Sequence, residues 1–187
     1  KDTVGGFCEV HVFGCPPGLG SCVAWQSKLD SRLAGAVMGI QAFKAVEIGM
    51  GTTCGSSRGS VVHDPIVYSK ANATQSNLGY DRPTNHAGGI EGGMSNGMPI
   101  VVRGTMKPIS TLLQGMDSVD LQSGEHARSD YERSDVCALP AASVVMENVV
   151  GFEIASAFLE TFGGATMKMV RASYAAYVEA AGKIASS

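Results

Sequence analysis

The chain has 187 residues, enough for one domain or for a large piece of a bigger protein. Its formal net charge of −3 excludes the basic footprint of a nucleic-acid binder, and 44% hydrophobic residues exclude a disordered chain. No uninterrupted apolar run reaches the roughly 18 to 20 residues of a membrane helix, so no membrane association is predicted. Five cysteines without a C-x-x-C pair argue against disulfides and structural zinc, and they predict a reduced, cytoplasmic protein without a metal.

Glycine is unevenly distributed, since 20 of the 24 glycines lie in the first two-thirds of the chain. This predicts strands and structured loops first and helices last. Residues 7–13 (FCEVHVF) have the β-branched and aromatic character of a strand. A helix is predicted from about Asp30, a candidate N-cap, because apolar residues recur at helical spacing as far as Ile40. A short strand follows at 45–48, and 65–83 is predicted to be an exposed loop because its polar residues show no period.

The second part of the chain begins with five glycines in the ten residues 88–97, followed by a predicted strand at 98–106. Residues 122–133 form the most charged stretch and are predicted to be exposed. A helix is predicted to begin at Pro140 and to end before a glycine pair, and 167–181 predicts a second helix. The residues predicted to share one face of the first of these helices are Val145, Val149, Phe152, Ser156 and Leu159.

Three short patterns each have a functional and a structural interpretation. GSSRG at 55–59 satisfies the nucleophile-elbow pattern of esterases with Ser57 as nucleophile, but no helix start follows it, so a glycine-rich loop is favoured. The glycines of 88–97 would let backbone approach an anion or a flat ring, although tight turns are favoured on pattern alone. KPIST at 107–111 offers an ammonium and two hydroxyls for a phosphate, and a solvated loop fits equally well.

Several segments, in one order along the whole chain, go beyond these patterns. The most specific are TNHAGGIEGGMSNG at 84–97 and KPIST at 107–111, with RSDVC at 133–137 after them. Together these segments resemble the C-terminal half of chorismate synthase. The other segments that carry the resemblance are VGG at 4–6, PGLGS at 17–21, LDSRLA at 29–34, VMGIQAFK at 37–44, VEIG at 46–49 and RGS at 58–60.

The resemblance implies an α+β fold in which 1–187 is the C-terminal portion of one domain. That domain is a β-α-β sandwich with helices between two antiparallel sheets. The implied function is that of a lyase in the shikimate pathway of aromatic amino-acid biosynthesis. It converts 5-enolpyruvylshikimate 3-phosphate to chorismate and phosphate by a 1,4-anti elimination. Reduced FMN is the implied cofactor, with NADPH as its indirect reductant, and the implied assembly is a cytoplasmic homotetramer.

The resemblance also implies which residues form the site. Asp135 matches a family aspartate proposed to relay the proton, although a structural carboxylate paired with Arg133 fits the sequence equally well. Glycine at 92 would lie where backbone approaches the flavin, and Lys107 with its neighbouring hydroxyls would suit the FMN phosphate. The implied FMN contacts are Gln41, Ala42, Gly92, Lys107, Pro108, Ile109, Ser110, Thr111 and Arg133.

Motifs of the family's N-terminal half are absent from these 187 residues. They include its Gly-x-Ser-His-Gly and Arg-Arg-Pro-Gly segments and both proposed catalytic histidines. We therefore expect this chain to be an incomplete fragment with weak or no elimination activity by itself. The alternative is a non-catalytic flavin-binding or oligomerisation module that keeps the same scaffold.

Overall fold

The structure is a computed structural model that describes residues 2–132 and 135–184. Its strands, in chain order, are β1 (Gly6–Val12), β2 (Phe43–Ile48), β3 (Val67–Tyr68), β4 (Tyr80–Asp81), β5 (Ile90–Glu91), β6 (Met94–Ser95), β7 (Ile100–Met106), β8 (Asp117–Val119) and β9 (His126–Arg128). Its helices are α1 (Leu29–Met38), α2 (Gly59–Val62), α3 (Leu139–Phe162) and α4 (Met167–Ile184).

The central element is a three-stranded antiparallel sheet in the order β1-β7-β2. Along β7, buried residues alternate with half-buried ones, as expected of a strand with one face on the core. Helices α1 and α3 pack against the sheet. The remaining strands form three two-stranded hairpins, β3-β4, β5-β6 and β8-β9. The fold is therefore α+β, and the prediction of that class is confirmed.

The core lies between the sheet and helices α1 and α3. Leu29, Leu33 and Val37 recur every four residues along α1, and all three are fully buried. Met146 and Val150 of α3 are also fully buried. Burial of each large aliphatic side chain contributes about 1.5 to 3 kcal/mol. The helical spacing in the sequence therefore predicted the buried face of α1 correctly.

Helix α1 begins one residue before the predicted start. Its N-cap is Lys28 and not Asp30, and the Lys28 side chain makes no capping hydrogen bond. Asp30 lies instead in the first turn, where its carboxylate is 3.2 Å from the Lys28 ammonium. A negative charge in the first turn still interacts favourably with the partial positive charge of the helix N-terminus.

Helix α3 is apolar on two sides. The face predicted from the sequence points largely to solvent, with Val145, Phe152 and Leu159 exposed, whereas Met146 and Val150 on another side contact the core. Periodicity cannot identify the buried side of a helix that carries apolar residues on more than one side. By length and composition, α3 is the one helix in the described part of the chain that would be able to cross a membrane. In this fold it packs on β1 instead.

Segments predicted as exposed loops contain short hairpins. Within 65–83, β3 pairs with β4, and Tyr68 packs on Tyr80 with ring centroids 5.1 Å apart. Within the described part of 122–133, β9 pairs with β8, and most residues there are exposed. At the C-terminus, α4 packs on α3 through aromatic contacts centred on Phe162.

Candidate functional site

Residues 107–111 lie directly after β7, at the end of the sheet where β1 and β2 begin. The Lys107 amide donates a hydrogen bond of 2.9 Å to the carbonyl of Ala42, which precedes β2. The Thr3 hydroxyl, just before β1, donates a hydrogen bond of 2.5 Å to the carbonyl of Ile109. These two contacts attach 107–111 to the starts of both neighbouring strands. We call this region the Lys107 end of the sheet.

Ala42 has an unusual backbone conformation for its residue type. Its φ of 67° lies in the left-handed region, where a residue with a Cβ is strained by about 1 to 2 kcal/mol. Such strain persists where the surrounding structure imposes it, and it is concentrated at functional sites. The family resemblance implies that Ala42 is a cofactor contact, and this strain was not predicted; the Ala42 carbonyl accepts the hydrogen bond from the Lys107 amide.

The side chains at the Lys107 end are suited to an anion. Lys107 and Ser110 are exposed, and Ile109 and Thr111 are half-buried. An ammonium, hydroxyls and backbone amides are groups that bind a phosphate monoester. Pro108 fixes one φ and so limits the conformations open to the segment. The residues present therefore fit the phosphate of FMN.

Asp135, the predicted proton relay, also lies at the Lys107 end. The next residue, Val136, accepts a 2.9 Å hydrogen bond from the Val4 amide just before β1. Asp135 itself is exposed. Gln41, next to Ala42, is exposed at the same end. Arg133 lies outside the residues that the structure describes. Of the predicted site residues, the structure thus brings together Gln41, Ala42, Lys107, Pro108, Ile109, Ser110, Thr111 and Asp135.

Gly92 lies at the opposite end of the sheet. It is in the turn of the β5-β6 hairpin, with a φ of +60°, and it is exposed. The carbonyl of the next residue, Gly93, accepts a 2.8 Å hydrogen bond from the Leu29 amide at the start of α1. A Cβ on Gly92 would meet no atom within 4 Å. The turn conformation explains this glycine, and the open space around it leaves room for a ligand.

Asp64 anchors the glycine segment, a role that no sequence pattern predicted. Its side chain is fully buried and accepts hydrogen bonds from the Thr84 hydroxyl at 2.6 Å and from the amides of His86 and Ala87 at 2.9 Å. Burial by itself would raise the pKa of Asp64, but these hydrogen bonds outweigh it and the pKa is lowered. Asp64 therefore holds the segment as a buried carboxylate at neutral pH.

A cavity of about 230 Å³ lies beside the β5-β6 hairpin. Its ionisable lining residues include three carboxylates and two histidines, while Ile48, Ala87 and Ile90 provide apolar surface. These carboxylates and histidines are Asp30, Asp64, Glu91, His63 and His86. We call the hairpin and this cavity the Gly92 end of the sheet.

The esterase interpretation of Ser57 requires a strand before the serine and a helix directly after it. In the structure, a 3-10 turn at Gly51–Ser56 precedes Ser57, and the following α2 is only 4 residues long. The Ser57 hydroxyl donates a 2.8 Å hydrogen bond to the Thr53 carbonyl. This is the geometry of a glycine-rich loop, which was the favoured interpretation.

Comparisons with known proteins, by sequence and by structure, identify one family. The family model for chorismate synthase matches residues 1–159. The chain belongs to the chorismate synthase family. Two curated relatives named chorismate synthase, from Geotalea daltonii and Trichlorobacter lovleyi, are 53% and 54% identical over 95% and 91% of this chain. A crystal structure of chorismate synthase is 39% identical and superposes with a TM-score of 0.79 over 98% of this chain.

The chain spans a little under half the length of its chorismate synthase relatives. It covers 46% of the Geotalea protein, 44% of the Trichlorobacter protein and 45% of the chain in the crystal structure. The resemblance identified from the sequence is confirmed, and so is the fold. The predicted roles of individual site residues stay predictions, because family membership alone assigns none of them.

Proposed function

We propose that the protein to which this chain belongs is a lyase with chorismate synthase activity. It converts 5-enolpyruvylshikimate 3-phosphate to chorismate and phosphate by a 1,4-anti elimination in the biosynthesis of aromatic amino acids. The observation that carries this proposal is the family match over residues 1–159, which includes the exposed donors of the Lys107 end. Both the substrate and the proposed cofactor carry phosphate, the kind of group that those donors suit.

The proposed cofactor is reduced FMN, with NADPH as its indirect reductant. Lys107 and Ser110 hold the FMN phosphate, while Gln41 and Ala42 border the flavin from the start of β2. When bound, the flavin supplies electron density that assists the departure of the substrate phosphate. Asp135 relays the proton, since its carboxylate is exposed at the Lys107 end of the sheet.

The active protein is proposed to be a cytoplasmic homotetramer. This chain alone is proposed to be incomplete, because it covers under half of its relatives and lacks motifs that the family carries elsewhere. The large exposed apolar residues on α3, among them Val144 and Phe152, support this view, since apolar surface on a long helix commonly marks a contact with further protein.

The test measures phosphate release from 5-enolpyruvylshikimate 3-phosphate under anaerobic conditions with reduced FMN. The full-length protein that contains this segment should turn over, and the 187-residue chain alone should release little phosphate. Asp135→Asn in the full-length protein should lower kcat by about 100-fold or more, the usual size of a general acid–base contribution, with FMN affinity unchanged.

The chain provides a matched control for Asp135. Residues 128–130 repeat the Arg-Ser-Asp sequence at 133–135, so Asp130→Asn makes the same change at an exposed position in the neighbouring copy. It should leave kcat unchanged. Equal activity of the two variants would remove Asp135 from the mechanism. A full-length protein that binds FMN but releases no phosphate would support the non-catalytic module instead.

A further inference from the structure

A second cavity, of about 350 Å³, lies between segment 65–83 and helix α4. Its wall is mostly apolar and includes Ile66 and Tyr80 from the segment and Ala181 from α4. Ile66 and Tyr80 are exposed, so the cavity is open to solvent. Small-molecule sites are commonly apolar clefts of about 300 to 1,000 Å³ with a few polar groups that orient the ligand. Because Arg82 also lines the wall, we call this the Arg82 cavity.

The Arg82 side chain is only 8% exposed, and one of its donors is unpaired. One terminal guanidinium nitrogen donates a 2.7 Å hydrogen bond to the Glu91 carboxylate, and the other donates one of 3.3 Å to the Asn96 carbonyl. The third nitrogen, Nε, is buried and has no hydrogen-bond partner in the part of the chain that the structure describes. A buried donor on a charged group is costly to leave unpaired, and native proteins rarely do so. The wall of the cavity therefore contains a donor that lacks an acceptor.

Two amide side chains in the same wall already have partners within the fold. The Asn77 side-chain oxygen accepts hydrogen bonds from the amides of Thr74 at 2.8 Å and Gly79 at 3.0 Å. The Asn96 side-chain nitrogen donates a 2.7 Å hydrogen bond to the Glu91 carboxylate. These contacts hold the loops that form the wall. The guanidinium of the wall, in contrast, retains a donor for a ligand.

Backbone strain at the Arg82 cavity is a second, independent observation. Leu78, which lines the cavity, has a φ of 54°, in the left-handed region where a residue with a Cβ is strained. In the described part of the chain, Ala42 is the other non-glycine residue with a positive φ. Strained backbone of this kind is concentrated at active sites and ligand sites. The unpaired donor and the strained turn thus meet at one cavity.

The charge beside Arg82 defines the chemistry of the ligand. Glu91 already balances the guanidinium charge at 2.7 Å, so it would repel a second anion, which would also lose hydration on burial. An uncharged carbonyl oxygen accepts a hydrogen bond without either cost. We propose that the Arg82 cavity binds a small uncharged molecule of about one ring, whose carbonyl oxygen accepts from Arg82 Nε and whose ring packs on Tyr80. This site does not depend on the elimination activity proposed above.

Titration calorimetry on the full-length protein tests the proposed site with two probes of the same shape. Benzamide is an uncharged ring with a carbonyl oxygen, and benzoate carries a carboxylate in its place. Benzamide should bind at one site per chain with a Kd of about 1 mM, an ordinary affinity for a ligand of one ring. Benzoate should bind at least about tenfold more weakly, because Glu91 repels it.

Two variants assign the binding to the Arg82 cavity. Ala181→Leu adds bulk to the wall from α4 and leaves Arg82 in place, so it should weaken benzamide binding by about tenfold or more. Ala180→Leu is the matched control, since it makes the same change at the preceding, exposed position and should leave the affinity unchanged. Arg82→Lys keeps a positive charge opposite Glu91 but removes Nε, and it should also weaken binding by about tenfold or more. Ala181→Leu decides the question even if Arg82→Lys does not fold.

Three results would overturn the proposed site. Equal benzamide affinity of Ala181→Leu and the wild type would mean that the probe binds elsewhere. Benzoate binding as tightly as benzamide would contradict an uncharged acceptor beside Glu91. A full-length protein that binds no benzamide would show that the cavity is not a site for a small molecule of this class. Failure of the proposed function looks different, since it is measured by phosphate release and not by benzamide binding.

Discussion

At the Gly92 end of the sheet, backbone packs closely on backbone beside a buried carboxylate. At the Lys107 end, polar side chains are exposed on an irregular segment. Gly88 contacts Gly49 so closely that neither position has space for a Cβ, and Asp64 is fully buried beneath the segment. Lys107 and Ser110 are exposed. The glycine-rich sequence is thus mostly a requirement of the fold, and the less conspicuous KPIST sequence carries the exposed polar side chains of Lys107 and Ser110.

The largest expected effect tests the close packing at the Gly92 end. In Gly88→Ala the new Cβ would lie 2.5 Å from the Cα of Gly49, at a residue whose φ is already +63°. The atoms nearest the added Cβ are backbone atoms of Ile48 and Gly49, so no flexible side chain can move to make room. Overpacking together with left-handed strain should lower the free energy of unfolding by about 4 kcal/mol, measured by urea denaturation.

Gly92→Ala is the control for that experiment. Its φ of +60° is nearly the same, but nothing lies within 4 Å of the added Cβ. Only the strain of the left-handed backbone applies, so Gly92→Ala should lower the free energy of unfolding by about 1.5 kcal/mol. Equal losses at positions 88 and 92 would contradict the close packing and would leave the two glycines equivalent.

A smaller effect is expected when the buried carboxylate is neutralised. Asp64→Asn leaves a buried donor group facing the amides of His86 and Ala87, and it should lower the free energy of unfolding by about 3 kcal/mol. Asp130→Asn, at an exposed position, should change it by less than about 0.5 kcal/mol.

The Asp64 effect should depend on pH with a defined sign. The pKa of Asp64 is lowered in the folded protein, whereas an unfolded aspartate has a pKa of about 3.9. The stabilisation is therefore fully present above about pH 5, and it is lost as the pH falls through 4 and then through the folded pKa. The difference in stability between wild type and Asp64→Asn should shrink in acid. A difference that stays constant down to about pH 3 would mean that the carboxylate charge is unimportant there.

The sequence predicted the regular elements of the Lys107 end and of the core because their signals are local. Helical spacing identified α1, and β-branched and aromatic residues identified β1. Helical spacing could not predict which face of α3 is exposed. Val145 and Met146 are both apolar, and only tertiary packing decides which of them is buried. Asp64 likewise becomes informative only when its hydrogen bonds to a segment more than 20 residues away are known.

The sequence also did not predict the distance between Gly92 and residues 107–111. Gly92 and Lys107 are close along the chain, and family resemblance assigns both to one cofactor. Yet the residues between them include all of β7, and an extended strand places its ends farther apart than any other regular element of equal length. Sequence proximity therefore suggested one pocket, whereas Gly92 and Lys107 lie at opposite ends of β7.

The smallest expected change in stability tests the exposed character of the Lys107 end. Lys107→Ala should weaken FMN binding by the full-length protein by about 1.5 to 3 kcal/mol, the range for a hydrogen bond to a charged group. Because Lys107 is exposed, the free energy of unfolding should change by less than about 0.5 kcal/mol. Lys168→Ala removes an exposed lysine on α4 and should change neither quantity. Titration of FMN by flavin fluorescence measures the affinity, and an unchanged affinity would remove Lys107 from the site. If Lys107→Ala instead greatly lowered the free energy of unfolding without weakening FMN binding, Lys107 would stabilise the fold, as the glycines do at the Gly92 end.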